Sequence, residues 1–215
     1  MKKLILYSDQ IQDKSELIDI ELITIINYDN PKIGYIPSSS DLNRKYFNQK
    51  IEYYEKLGIT NLIYFDLEQE FNPNKIKELF SCNAIHLSGG NTFYFLNLLK
   101  KRNFINQLLT YVEKGGILIG ISAGSILMSE TILAASIGDE NLVELKDYNA
   151  LGLVDFDFFP HWNNNDKYLY EIISYSKENK NKVCYVCTDS DGIIVNDDKI
   201  ILIGDPIKIL NGDVV

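Results

Sequence analysis

At 215 residues, with 46% hydrophobic and 24% charged residues, the chain has the size and composition of one soluble α/β domain with a sizeable core. A net charge of −9 and a pI near 4.8 set it against phosphate backbones and anionic bilayers, so neither nucleic acid nor membrane is an expected partner. Three cysteines, Cys82, Cys184 and Cys187, are too few and too odd in number for a disulfide framework.

The N-terminal MKKLILYSDQ sets two lysines before an apolar run. That run is far shorter than a signal-peptide core, and it reads as the first strand. No segment has the length of a membrane span, and the expected location is the cytoplasm. KIGYIP is the next strand. Asp41 to Leu57 has helical spacing and is followed by Gly58 as a stop. NLIYFDL is a third strand, and Asn74 to Phe80 a short helix after Pro73. AIHLSG and GILIGIS are buried strands on either side of one or two helices spanning Thr92 to Lys114. FDFF leads as a strand into Pro160 and His161, and Asp166 to Lys180 is a helix. VCYVCT, GIIVN, KIILIG and PIKIL are then separated by Asp-Gly, Asp-Asp and Asp-Pro turns, the pattern of a C-terminal β-meander at a sheet edge. Strand–helix alternation predicts a mostly parallel sheet covered on both faces, in a single domain over 1–215. Cys184 and Cys187 lie three apart on a strand and face opposite ways, so they are expected to be core residues rather than a redox or metal pair.

The segment Gly120-Ile121-Ser122-Ala123-Gly124 has the G-x-S-x-G pattern between a strand and a helical run. A serine on such a turn is exposed at the sheet edge, and small neighbours let strand and helix approach closely. The N–H of Ala123 then points where an oxyanion would form. Leu87-Ser88-Gly89-Gly90-Asn91-Thr92 is a second glycine-rich turn between strand and helix. It lacks the lysine of a phosphate loop and suits a second oxyanion donor. A plain turn capped by Asn91 or Thr92 is the structural alternative.

Serine needs a base. Of the two histidines, His161 follows a strand end in a loop, whereas His86 lies within a buried strand and reads as a core or near-site residue. A carboxylate should orient the base. Glu130, Asp139, Glu140, Glu144, Asp147, Asp155 and Asp157 all lie between Ser122 and His161, and spacing alone does not choose among them.

SGGNTFYFLNLLK, GISAGSILM and FPH, in that order, resemble the serine peptidase family of peptidase E (aspartyl dipeptidase) and cyanophycinase. The resemblance is good over about residues 80–205 and extends to the first eighty only in strand–helix rhythm. It implies a three-layer α/β/α sandwich similar to the class I glutamine amidotransferase domain, with neither metal nor cofactor. It also implies Ser122 as nucleophile, His161 as base, and Asp139 or Glu140 as acid, with Asp139 preferred. Gly90 and Ala123 become the oxyanion donors, Gly89 and Asn91 substrate-binding residues, and the substrate a short peptide. The arginines are Arg44 and Arg102. Neither follows His161, where a partner for an aspartyl side chain is sought, and a lysine such as Lys167 could substitute only as a point charge rather than a bidentate fork, so the residues do not by themselves establish an aspartyl preference.

Two other functions share these residues. One is a small-ligand-binding module on the same fold, against which an intact serine and histidine argue. The other is an amidase or glutaminase, whose elbow would normally carry cysteine. The exposed edge of the C-terminal meander is a candidate surface for pairing into a homodimer.

Overall fold

The structure, a computed structural model, describes residues 2–215. The first half runs β1 (Lys3–Tyr7), α1 (Glu16–Ile26), β2 (Lys32–Ile36), α2 (Lys45–Lys56), β3 (Asn61–Tyr64), α3 (Ile76–Leu79), β4 (Ala84–Leu87), α4 (Thr92–Lys101) and α5 (Phe104–Glu113). The second half runs β5 (Ile117–Ile121), α6 (Ala123–Ile126), β6 (Phe156–Phe159), α7 (Asp166–Glu178), β7 (Val183–Val186), β8 (Gly192–Asn196), β9 (Lys199–Ile203), β10 (Ile207–Leu210) and β11 (Asp213–Val214).

Seven strands form one sheet in the order β3-β2-β4-β5-β1-β8-β9. The five from β3 to β1 are parallel, and the β8–β9 hairpin adds antiparallel strands at one edge. Alternation along each strand divides the core. Leu4, Leu6, Ile85, Leu87 and Leu118 face α4 and α5, while Ile5, Tyr7, Ile33, Ile119 and Ile121 face α1 and α2. These are the two helical layers expected of an α/β/α sandwich.

The C-terminal strands do not stay together as one meander. Only β8 and β9 pair at the edge of the main sheet, while β7 and β10 join β6 and β11 in a second, four-stranded sheet. In that sheet β6 and β7 are parallel. Phe156 and Phe158 pack into the main core, and Phe159, Cys184 and Val186 pack toward Ile172 of α7. Cys184 and Cys187 belong to different core clusters and are unpaired, the opposite-facing arrangement that strand geometry predicts.

Two helices differ from the sequence reading. Helix α1 lacks a clear amphipathic signal, because the apolar residues of ELIDIELITII fall on several sides. It buries Ile18, Leu22 and Ile26 and leaves Leu17, Ile20 and Ile23 exposed. Helix α2 begins at Lys45 rather than Asp41, since Arg44 has φ 58°. The Asp41 carboxylate caps it by accepting the N–H groups of Tyr46 and Phe47, both at 2.9 Å.

Candidate active site

The C-terminal ends of β4, β5 and β1 lie side by side, where parallel α/β sheets bind their ligands. Each end delivers a polar turn: Ser88-Gly89-Gly90 after β4, Ser122 after β5, and Ser8-Asp9-Gln10 after β1.

Ser122 has φ 50° and ψ −107°, a region that L-residues with side chains rarely enter and that costs about 1–3 kcal/mol. The surroundings hold it there. Its N–H donates to the Tyr7 carbonyl at 3.0 Å, and its carbonyl accepts from Ser125 and Ile126 at 2.9 and 3.0 Å. The Ser125 hydroxyl bonds the carbonyls of Tyr7 and Gly120, both at 2.8 Å, tying the ends of β1 and β5 beneath the turn. Gly120 and Gly124 are required by contact: a Cβ on Gly120 would stand 2.6 Å from the Gly124 backbone.

His161 follows β6 and has φ 63°. Its N–H donates to the buried Ser8 hydroxyl at 2.9 Å. Its Nε2 lies 2.8 Å from Ser122 Oγ. Its Nδ1 lies 2.6 Å from Asp189 Oδ1. An ionised carboxylate only accepts, so Nδ1 carries the proton and Nε2 is left to accept from the serine hydroxyl. Asp189 is itself held by Asn163, whose amide donates to Asp189 Oδ2 at 2.7 Å and accepts the Asp189 N–H at 2.9 Å.

The carboxylate on the imidazole is therefore Asp189, and the expectation of Asp139 or Glu140 is corrected. Asp139 Oδ2 accepts the Thr92 N–H at 2.7 Å at the start of α4. Glu140 offers its backbone carbonyl to the Asn91 amide at 2.8 Å, and the residue is exposed. Asp189 lies outside the segment between serine and histidine where the elbow's chain order places the acid. Its signal was present in CTDSDG, a carboxylate just past a strand. Because β6 and β7 are parallel neighbours, the loops after both strands meet, and Cys187 bridges them by donating to Phe159 and accepting from Trp162 at 2.8 and 2.9 Å.

The remaining expected residues divide in two. A Cβ on Gly89 would stand 3.6 Å from Ser122 Cβ, so Gly89 borders that serine. Gly90, at φ 134°, packs so closely on Ser38 that a side chain would collide with its hydroxyl. Among the described residues the N–H groups of Gly90 and Ala123 have no hydrogen-bond acceptor. Asn91, expected to bind substrate, is instead used by the scaffold. Its Oδ1 caps α4 through the Tyr94 N–H at 2.9 Å, and its Nδ2 holds the Glu140 carbonyl.

His86 stands apart from this array. It is fully buried, with Nδ1 2.8 Å from the Tyr54 hydroxyl, and burial holds its pKa well below the ordinary histidine value. Asp9 brings a third ligand-type atom, a carboxylate oxygen, near His161 and Asp189, all within 4.8 Å. However, His161 Nδ1 and Asp189 Oδ1 already bond each other. A pocket of about 300 Å³ opens beside Ser122 and His161, lined by Thr92, Ile126, Ala135, Asp139, Asn165 and Tyr168 among others.

The sequence profile of peptidase family S51 matches residues 4–203. An uncharacterized peptidase of Listeria innocua is 28% identical over 193 residues, covering 86% of this chain and 88% of its own. Peptidase E of a Shewanella species is 30% identical over 93 residues, 43% of this chain and 39% of its own. A crystal structure assigned to peptidase E of Listeria monocytogenes superposes with a TM-score of 0.76 at 26% identity, over 94% of this chain and 98% of that one. A peptidase from an acI-B1 actinobacterium shares the fold, with a TM-score of 0.70 at 17% identity over 100% of this chain and 96% of that one.

Proposed function

The chain belongs to peptidase family S51 and is by that membership a peptidase, and we propose that it hydrolyses short peptides as a serine enzyme through Ser122, His161 and Asp189. One observation carries this reading: the unbroken hydrogen-bond chain from Ser122 Oγ to His161 Nε2 at 2.8 Å and from His161 Nδ1 to Asp189 at 2.6 Å.

In this mechanism His161 Nε2 takes the proton as Ser122 Oγ attacks the peptide carbonyl. Asp189 holds the ring in the required tautomer and stabilises the imidazolium. The unengaged N–H groups of Gly90 and Ala123 receive the oxyanion. His161 then returns the proton to the departing amine, leaving an acyl-enzyme that water hydrolyses by the same route. The strained Ser122 backbone holds the hydroxyl at the sheet edge before substrate arrives.

The pocket beside the triad supports neutral rather than acidic side chains. Apart from His161 it contains no basic residue, and its carboxylate is Asp139, so an aspartyl side chain would meet a like charge. The three unpaired cysteines accord with a reducing, cytoplasmic setting. No helix among the described residues is long and apolar enough to cross a membrane.

Ser122→Ala tests the reading. With a dipeptide and tripeptide library as substrates, turnover should fall to background, and a fluorophosphonate probe should label the wild type at Ser122 but not His161→Ala. Full activity in Ser122→Ala would refute the mechanism.

A further inference from the structure

A second cavity, of about 640 Å³, also borders the elbow. Gly89 and Ile121, which adjoin Ser122, line it together with Gly90, Lys50 of α2 and Gln10 of the loop after β1. Its volume is in the range of small-molecule sites.

Both Lys50 and Gln10 are under-partnered. The Lys50 ammonium has one long hydrogen bond, 3.4 Å to the Gln10 carbonyl, and lies 5.3 Å from the centre of the Tyr53 ring. Among the described residues it forms no ion pair. Burial pushes its pKa down to about 8, against the opposing pull of Asp9 and Asp19. Gln10 is 5% exposed, yet neither its Nε2 nor its Oε1 has a hydrogen-bond partner. It lies beside the Tyr54 hydroxyl, which is engaged with His86. An unpaired buried amide and a cation largely stripped of water each cost free energy that a suitable ligand would recover.

We propose that this cavity is the subsite for the carboxylate end of the peptide, with the Lys50 ammonium and the Gln10 amide N–H groups holding a free α-carboxylate. Gln10 Oε1 remains to accept a peptide N–H, a pairing that suits a peptide better than a simple anion. Lys50 is the one cation lining the cavity, against the carboxylates of Asp9 and Asp41, of which Asp41 is occupied in capping α2; that balance opposes a phosphate dianion more than the single charge of a carboxylate. The enzyme is then selective for peptides whose C-terminus lies close to the scissile bond, rather than for internal bonds of longer chains. This inference rests on Ser122 being the nucleophile.

The test compares the best-cleaved di- or tripeptide as its free acid and as its C-terminal amide, in wild type, Lys50→Met, Lys50→Arg and Gln10→Leu. Fluorophosphonate labelling of Ser122 is read in parallel to report the state of the triad in each protein. Wild type should favour the acid by about tenfold or more in kcat/KM, the worth of a charge-assisted hydrogen bond. In Lys50→Met the ratio should fall to within about twofold of unity. Lys50→Arg should restore part of it, and Gln10→Leu should lower it. Should Lys50→Met fail to fold, Lys50→Gln and Gln10→Leu decide the matter by the same ratio. A wild-type ratio near one, or a ratio unmoved in labelled variants, overturns the subsite and leaves the nucleophile intact. Absence of both labelling and hydrolysis in wild type overturns the serine mechanism itself.

Discussion

Gly124 faces the Leu87 carbonyl so closely that a methyl group on it would stand 2.1 Å from that oxygen. Leu87 ends β4 and Gly124 lies in the first turn after Ser122, so this contact sets how deeply the elbow sits against the neighbouring strand. The obstacle is backbone and cannot rotate away.

Gly124→Ala should therefore displace the turn. Overpacking of this kind costs about 1–3 kcal/mol, read as a fall of several degrees in Tm. Because the displaced turn carries the proposed nucleophile, labelling of Ser122 should slow by more than the stability loss explains. A variant with wild-type Tm and labelling rate would show that the close approach is dispensable.

Asp189 and Asp139 should separate kinetically. Asp189→Asn weakens the orientation and charge stabilisation of His161, and kcat should fall by about 10³–10⁴, the scale known for such a change in serine proteases. Asp139→Asn loosens the start of α4 and alters a pocket wall, so its effect should fall mainly on KM. Equal losses of kcat in both would contradict the assignment of Asp189.

His86 should shape acid stability. Its folded pKa lies well below the ordinary value because the site is buried, while in the unfolded chain it returns to about 6.5. Its contribution is complete above pH 6.5. Below it the unfolded state takes up a proton that the folded state does not, and stability falls by up to about 1.4 kcal/mol per pH unit. His86→Leu should start less stable at pH 7.5, by about 1–3 kcal/mol, for the Tyr54 hydroxyl loses its partner. It should then lose stability more slowly than wild type between pH 6.5 and 5 (both about the values set by histidine titration). Denaturant curves across that range check the slopes, and parallel slopes would refute the account.

Lys50 follows the same linkage sign in a more alkaline window. Its folded pKa is about 8 against an ordinary 10.5, so below pH 8 the folded state carries the whole cost of a desolvated ammonium. That cost fades as pH rises toward 10.5, because the unfolded state binds the extra proton throughout the window. Asp9 and Asp19 face the ammonium and moderate the effect. Lys50→Met should be more stable than wild type at pH 7, by up to about 3 kcal/mol, and the gap should narrow by pH 10. A pH-independent gap would mean that packing, not charge, sets the difference.

Local chemistry made several features legible without coordinates. The Ser122 turn depends on residues two positions away, and glycine spacing records the steric demand directly. His161 could be chosen over His86 because one follows a strand in a polar loop while the other lies inside an apolar strand. Strand–helix alternation was enough to predict a covered, mostly parallel sheet, and period-two geometry placed Cys184 and Cys187 on opposite faces. What remained hidden depended on pairing between distant segments. The carboxylate on His161 is Asp189 because β6 and β7 run parallel side by side, a relationship that no local spacing encodes. The same adjacency draws β7 away from the C-terminal meander into a second sheet. Lys50 and Gln10, on separate elements and 40 positions apart, read as ordinary surface residues until folding strips water from both and leaves them facing one cavity. Sequence alone thus marked the Ser122 turn, because steric constraint at a turn is local. Only the tertiary structure decided which carboxylate meets His161 and which groups are left wanting a ligand, because strand order and burial are properties of the whole chain.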